Sequence, residues 1–135
     1  MKANELRIGN KLILNDTGEK FTVTGIMQDS HGVKVYGITD NGTYCNTWIE
    51  HCRPIPITED CLLNIGFELT YVSKYRVKFD HSIHNEIGFD FCFDSDHSMS
   101  GFRYYGNRIN SIGYVHQLQN THFALTGEEL TIQQL

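Results

Sequence analysis

Short runs of alternating apolar and polar residues dominate the first fifty positions of the chain. Four runs have this character: 11–15, 21–26, 33–39 and 44–50. Turn-forming residues separate them, and Asp40-Asn41-Gly42 favours a tight hairpin because asparagine and glycine tolerate positive φ. Four or five short strands at this spacing predict a small SH3-like β-barrel or a rolled-up meander.

The pattern changes near residue 54. Pro54 and Pro56 favour an extended connector, since proline fixes its own φ and biases the residue before it away from helix. Thr58 is then expected to cap a short helix that ends at Gly66. Glu59 lies in the first turn of that helix, where the helix dipole favours an anion.

Strand-like runs return after Gly66, and a helix closes the chain. The predicted strands are residues 67–72, 75–80, 88–94, 102–105 and 109–112. The closing helix begins near residue 114 and ends at Gly127, with a last short strand expected at 129–132. These elements predict an α+β protein with a barrel-like unit at 1–53 and, at 54–135, an antiparallel sheet with a short capped helix and a closing helix. The two units can also pack as a single domain.

The closing helix has an uneven distribution of polar residues. At 100° per residue, one narrow sector is expected to face the core: Tyr114, Leu118, Thr121 and Leu125. The opposite side gathers His116, Gln119, Asn120 and Phe123. His122 is expected to lie at the boundary of the two sides and to hydrogen-bond locally. Because Phe123 is a large aromatic on a polar side, we expect a second packing layer there or a binding patch formed with His116 and Asn120.

Charge and composition narrow the function classes. The 135 residues carry a formal charge of −5, which argues against generic binding to nucleic-acid phosphates. The chain begins MKANELRIGN and has no apolar run of about 20 residues, so we expect a cytoplasmic protein without a membrane span. Its four cysteines, at 45, 52, 61 and 92, lack a CxxC pair and are expected to be reduced thiols.

The segment 81–97 contains many metal-binding residue types. They are His81, His84, Asp90, Asp94, Asp96 and His97. Strand positions four apart lie about 13 Å from each other, so Asp90 and Asp94 cannot share an ion through that spacing alone. We therefore expect an amphipathic strand and no bound metal or cofactor.

A basic strand offers an alternative function. Lys74, Arg76 and Lys78 share one face of a predicted strand, and Arg103 and Tyr105 lie on a later one. Such a surface could hold single-stranded nucleic acid by stacking and phosphate contacts. The simpler interpretation is a solvated face on which the basic residues pair with Asp90 and Asp94 across neighbouring strands.

Common catalytic signatures are missing from the sequence. There is no phosphate-binding GxxxxGK[ST] loop, no GxGxxG, no GxSxG and no HExxH. An enzyme would need a site assembled from scattered His, Asp and Cys residues, which is a further alternative.

Three blocks of the sequence resemble a known family. They are MKANELRIGN at the start, IPITEDCLLNIGF in the middle and YVHQLQNTHFALTGEELTI at the end. They resemble small uncharacterised proteins encoded by phages and integrated mobile elements of gut anaerobic bacteria. The resemblance implies a mobile-element origin and a shared fold, with no activity or catalytic residues to transfer. Cys61 stands where an aromatic residue is expected in that family.

Together these patterns predict a non-enzymatic accessory protein that acts by binding a host or phage protein. The sequence does not specify an oligomeric state.

Overall fold

The structure is a computed structural model that describes residues 1–72, 76–82, 88–94, 99–104, 107–108, 112–130 and 132. The fold is α+β. The chain divides into two compact units. The first unit contains Met1–Pro56 and Tyr114–Glu129, and the second contains Ile57–Gly113 and Leu130–Leu135.

The first unit is built on a five-stranded antiparallel sheet. Its strands are β1 (Lys11–Leu14), β2 (Lys20–Asp29), β3 (Gly32–Thr39), β4 (Tyr44–Trp48) and β5 (Cys52–Pro54). They lie in the order β4-β3-β2-β1-β5, so β4 and β5 form the two edges of an open sheet. The four predicted strand runs are confirmed, and a closed barrel is not.

Alternation along β3 separates the two faces of this sheet. Val35 and Thr39 are buried, whereas Tyr36 and Ile38 are half-buried. Gly37 also faces the core, because a Cβ built on it would lie 2.4 Å from Cδ2 of Phe21. The buried residues that pack together beneath the sheet are Leu6, Leu12, Phe21, Val23, Val35 and Cys52.

The hairpin between β3 and β4 has the predicted turn. The Gly42 N–H donates to the carbonyl of Thr39 at 2.9 Å, and Gly42 has a φ of 86°. The Thr39 N–H donates in turn to the carbonyl of Thr43 at 2.9 Å. Glycine is favoured at such a position because it has no Cβ to oppose the left-handed conformation.

The second unit contains a short helix and a second antiparallel sheet. Helix α1 (Glu59–Ile65) starts as predicted, because the Thr58 hydroxyl accepts the Cys61 N–H at 3.2 Å, and it ends at Gly66 with a φ of 99°. The sheet has the order β10-β9-β8-β7-β6. Its strands are β6 (Glu68–Val72), β7 (Arg76–Ser82), β8 (Gly88–Asp94), β9 (Met99–Tyr104) and β10 (Asn107–Arg108).

The core of this unit includes a contact between two aromatic rings, one just before β6 and one on β8. The rings of Phe67 and Phe91 meet edge to face with centroids 5.4 Å apart. Four predicted strands of this sheet match the structure closely. The structure also has a short strand at Asn107–Arg108, and residues 109–111 of the last predicted strand lie outside the described residues.

The closing helix α2 (Val115–Thr126) ends at Gly127 as predicted, with a φ of 74°. It lies in the first unit, although the sequence had placed it with residues 54–135. The physical reason is a set of hydrogen bonds from its amide side chains to residues 5–11, described below. None of the helices in the described ranges has the length and apolarity needed to cross a membrane.

Candidate functional site

The face that α2 turns to the core differs from the predicted one. Its buried residues are Val115, His116, Leu118, Gln119 and His122. Of the predicted apolar sector, Tyr114 and Leu125 are each 41% exposed, and Leu118 is buried. The sector was therefore misplaced by about a quarter of a turn, because three polar residues of this helix are buried: His116, Gln119 and His122.

Gln119 joins α2 to the start of β1. Its Nε2 donates to the Gly9 carbonyl at 3.0 Å, and its Oε1 accepts the Lys11 backbone N–H at 3.0 Å. The side chain is only 3% exposed. One amide thus satisfies the buried Lys11 N–H and the half-buried Gly9 carbonyl. Leaving a buried backbone group without a partner costs about 1–3 kcal/mol.

Asn120 lies one position further along and contacts the same N-terminal segment. Its Nδ2 donates to the Glu5 carbonyl at 2.6 Å, and its Oδ1 accepts from Nδ2 of Asn10 at 2.9 Å. Asn10 is fully buried, and its Oδ1 accepts the Arg7 backbone N–H at 2.8 Å. Both polar groups of Asn120 are therefore engaged within the first unit.

Phe123 is covered on one side only. The Arg7 guanidinium lies 3.7 Å from the centroid of its ring, in cation–π geometry. The same guanidinium donates to Oε1 of Glu129 at 2.7 Å. Phe123 nevertheless stays 37% exposed. Phe123 is thus packed against Arg7 of the N-terminal segment and keeps part of its surface exposed.

His116 is the most unusual residue of the helix. It is fully buried, and neither ring nitrogen has a hydrogen-bond partner among the residues that the structure describes. The nearest charge is Oε2 of Glu5, 4.0 Å from Nε2. Burial lowers the pKa of His116 from its ordinary value, although Glu5 acts in the opposite direction. The neutral imidazole is therefore the form that suits this site.

This burial predicts a pH dependence of stability. Because the folded pKa lies below the unfolded one, the unfolded chain binds more protons as the pH falls through about 6.5, and stability decreases in the same range. We expect the free energy of unfolding to fall between about pH 7.5 and pH 5.5, and to fall less in His116→Gln. Urea titrations at the two pH values measure the difference.

The matched control for this experiment is His31→Gln, because the side chain of His31 is 81% exposed. It should retain the wild-type pH dependence. An unchanged dependence in His116→Gln would show that the buried ring does not cause the loss.

His122 forms the local hydrogen bond that the sequence predicted. Its Nδ1 lies 2.9 Å from the Glu128 carbonyl, just beyond the end of the helix. The Thr126 hydroxyl donates to the His122 carbonyl at 2.8 Å and lies 3.4 Å from the same ring nitrogen. These contacts fix the C-terminal turn of α2 and do not bring His122 and His116 into one site.

The thiols of the first unit are poor candidates for a Cys–His nucleophile. Burial, followed by Cys45 and Glu50, raises the pKa of Cys52 to about 11. Burial also raises the pKa of Cys45, with Glu19 adding to the effect. A reactive cysteine needs the opposite shift, because the thiolate is the nucleophile.

The basic strand face lies in the second unit. Arg76 and Lys78 are on β7 and Arg103 is on β9, whereas Lys74 and Tyr105 lie outside the described residues. The register places Arg76 opposite Asp94 and Arg103 opposite Asp90. The strand that carries the two aspartates therefore lies between the two strands that carry the basic residues.

The metal-binding residue types of segment 81–97 are spread along two strands. His81 is on β7, and Asp90 and Asp94 lie four positions apart on β8. His84, Asp96 and His97 lie outside the described residues. Within the part of the chain that the structure describes, no group of three or more His, Cys, Asp or Glu residues could hold a metal ion.

A surface that the sequence predictions did not identify lies on the first sheet. The register aligns Met27 with Lys34 and Trp48 in one row, and Ile38 with Tyr44 in another. These residues lie on the side opposite to the buried Phe21, Val23 and Val35. We call this side the outer face and define it by six residues: Met27, Lys34, Tyr36, Ile38, Tyr44 and Trp48.

The outer face combines exposed apolar groups with one positive charge. Tyr44 is 83% exposed and Met27 is 44% exposed. The Lys34 ammonium lies 5.0 Å from the centroid of the Trp48 ring. None of the six residues carries a carboxylate. The sequence did contain a signal, because Tyr36 and Ile38 are apolar at positions where a strand with one solvated face should be polar.

Comparison with known proteins finds no matching family model, no similar curated protein and no similar solved structure. The function must therefore be inferred from the geometry of the chain itself.

Proposed function

We propose that this chain is a non-enzymatic protein-binding module and that the outer face is its main contact surface. The observation that carries the proposal is the alignment of two tyrosines, a tryptophan, an isoleucine and a methionine on one side of three neighbouring strands. Exposed apolar patches with polar rims are typical of interaction sites, and tyrosine and tryptophan contribute much of the energy of protein interfaces.

The polar residues of α2 help to stabilise the unit whose sheet carries the outer face. The side-chain amides of Gln119 and Asn120 form hydrogen bonds with backbone and side-chain groups of residues 5–11. A catalytic role would need polar groups free to meet a substrate. In the proposed function these amides are structural, whereas Phe123 keeps enough exposed surface to contribute to binding at the margin.

The order of the strands supports a more specific fold. The strand order β4-β3-β2-β1-β5 is compatible with an SH3-like arrangement, as is the 3₁₀ turn at Ile49–His51 between β4 and β5. We propose this arrangement for the first unit. Folds of that class serve many functions, so the proposal of protein binding depends on the outer face.

We further propose a cytoplasmic setting, together with the mobile-element origin that the sequence resemblance implies. In such a setting the partner is a protein of the host or of the element itself. No observation in the described residues specifically favours the nucleic-acid or the enzyme alternative.

The test is affinity capture with the immobilised full chain from a lysate of the organism that encodes it. Wild type is compared with Met27→Glu, which places a carboxylate on the outer face. A charge buried at the centre of an interface is expected to weaken capture of the specific partner about tenfold or more. Quantitative mass spectrometry of the captured proteins measures the ratio.

Ile8→Glu is the matched control, because Ile8 is 63% exposed and lies outside the outer face. It should capture the partner as wild type does. Phe123→Ala shows whether the helix contributes. Identical captured proteins from wild type and Met27→Glu would count against the outer face as the binding surface.

A further inference from the structure

Strand β4 is an edge strand without the usual protection. Edge strands avoid pairing with other chains by being very short or by carrying charges or proline. The opposite edge, β5, has three residues and contains Arg53 and Pro54. By contrast, β4 has the sequence YCNTW, and residues 41–49 contain neither a charged residue nor a proline.

The hydrogen-bond pattern shows which backbone groups of β4 point outward. Thr39 and Thr43 form a hydrogen-bonded pair at the start of the hairpin. Hydrogen-bonded and non-hydrogen-bonded pairs alternate along an antiparallel ladder. Tyr44, Asn46 and Trp48 therefore occupy the non-hydrogen-bonded positions opposite β3. The N–H groups of all three and the carbonyls of Tyr44 and Asn46 face away from β3, whereas the Trp48 carbonyl accepts the Cys52 thiol at 3.6 Å. Tyr44 and Asn46 are also exposed.

The outward positions of β4 are arranged symmetrically about Asn46. If a second copy approaches antiparallel with Asn46 opposite its own counterpart, Tyr44 of each copy lies opposite Trp48 of the other. The two Asn46 residues can then exchange both of their backbone hydrogen bonds, and each Trp48 N–H can donate to the facing Tyr44 carbonyl, because these groups point outward. Aromatic residues directly opposite one another on a sheet stabilise strand pairing.

We propose that this chain forms a two-fold dimer through antiparallel pairing of β4 with β4 of a second copy. The sheet that contains β4 in one copy and the same sheet in the second copy become one continuous sheet, with Asn46 on the two-fold axis. Two features favour a second copy of the chain, and not an extended segment of another protein, as the partner that pairs with β4. The aromatic positions of β4 complement themselves only in this register, and an uncharged strand meets its own copy without like-charge repulsion although the chain as a whole carries −5.

Dimerisation through β4 is separate from the proposed function, since it needs only the purified chain. It leaves Met27 and Tyr36 accessible and doubles the width of the outer face. A failed capture experiment does not affect this inference, and a monomeric chain does not affect the outer-face proposal.

The test is the molar mass of the purified full chain by light scattering, at protomer concentrations from about 1 to 300 µM. Wild type should approach twice the chain mass of 15.5 kDa as concentration rises. Asn46→Lys and Asn46→Glu each place like charges against each other on the axis. We expect either to raise the dissociation constant about tenfold or more.

An equimolar mixture of the two variants should restore the dimer, because lysine then faces glutamate. Thr24→Lys, at an exposed position of β2, adds the same charge away from the edge and should dimerise as wild type does. Thermal unfolding confirms that each variant is folded. A wild type that stays monomeric, an Asn46→Lys that dimerises normally, or two folded monomeric variants that do not combine would each overturn the proposal.

Discussion

Gly37→Ala is expected to destabilise the first unit by about 3 kcal/mol, and this is the largest effect of a single methyl group that we predict. The added Cβ would lie 2.4 Å from Cδ2 of Phe21 and 2.6 Å from the carbonyl oxygen of Thr22. Phe21 is fully buried, and the carbonyl belongs to the paired backbone of β2, so neither can withdraw without moving the sheet. Urea unfolding followed by fluorescence of Trp48, the only tryptophan, measures the loss.

Gly25→Ala is the matched control for that substitution. Gly25 lies in the same sheet, and a Cβ there would meet only the Tyr36 side chain, at ordinary van der Waals distances of 3.6 Å and more. We expect a change of less than about 1 kcal/mol. Equal effects of the two substitutions would mean that Gly37 does not face the core as described.

Gln119→Met is expected to cost about 2–4 kcal/mol, the second large effect. Methionine fills a similar volume, but it can neither donate to the Gly9 carbonyl nor accept the Lys11 N–H. The buried Lys11 N–H and the half-buried Gly9 carbonyl then lose their partner, and a buried group without a partner costs about 1–3 kcal/mol. The free energy of unfolding from the same fluorescence titration measures the loss.

Ala124→Met provides the comparison on the same helix. Ala124 is exposed, so the new methionine replaces no buried side chain. The change should be less than about 0.5 kcal/mol. A Gln119→Met chain as stable as wild type would show that the amide does not hold α2 to β1.

Local features of the fold were predictable from the sequence because short-range chemistry decides them. Thr58 and Gly66 bound α1 through a hydroxyl and a left-handed glycine. Gly42, in the turn between β3 and β4, and Gly127, at the end of α2, adopt the same left-handed conformation. Each of these signals needs only the residue and its neighbours within one turn.

The placement of α2 was not predictable in this way. Its buried face depends on partners far away in the chain, such as Asn10, which is separated from Asn120 by 110 positions. A helical sector chosen by hydrophobicity selected Tyr114 and Leu125, which are partly exposed, and omitted His116 and Gln119, which are buried. Gln119 is buried with hydrogen-bond partners that the fold supplies, whereas His116 is buried without one among the described residues. A periodicity argument contains no information about either environment.

The outer face was missed for a related reason. Alternation along β3 identifies one buried side, but it does not reveal that the other side aligns with apolar residues of two neighbouring strands. That alignment follows from register, which pairs Lys34 with both Met27 and Trp48. Register depends on turn geometry and core packing together.

In the proposed function this chain binds a protein through its outer face. The most direct measurement is the affinity of the captured partner, in purified form, for wild type, Met27→Glu, Phe123→Ala and Ile8→Glu by isothermal titration calorimetry. We predict that wild type and Ile8→Glu bind alike and that Met27→Glu binds about tenfold or more weakly. Equal affinities for all four chains, or a loss confined to Phe123→Ala, would contradict the claim.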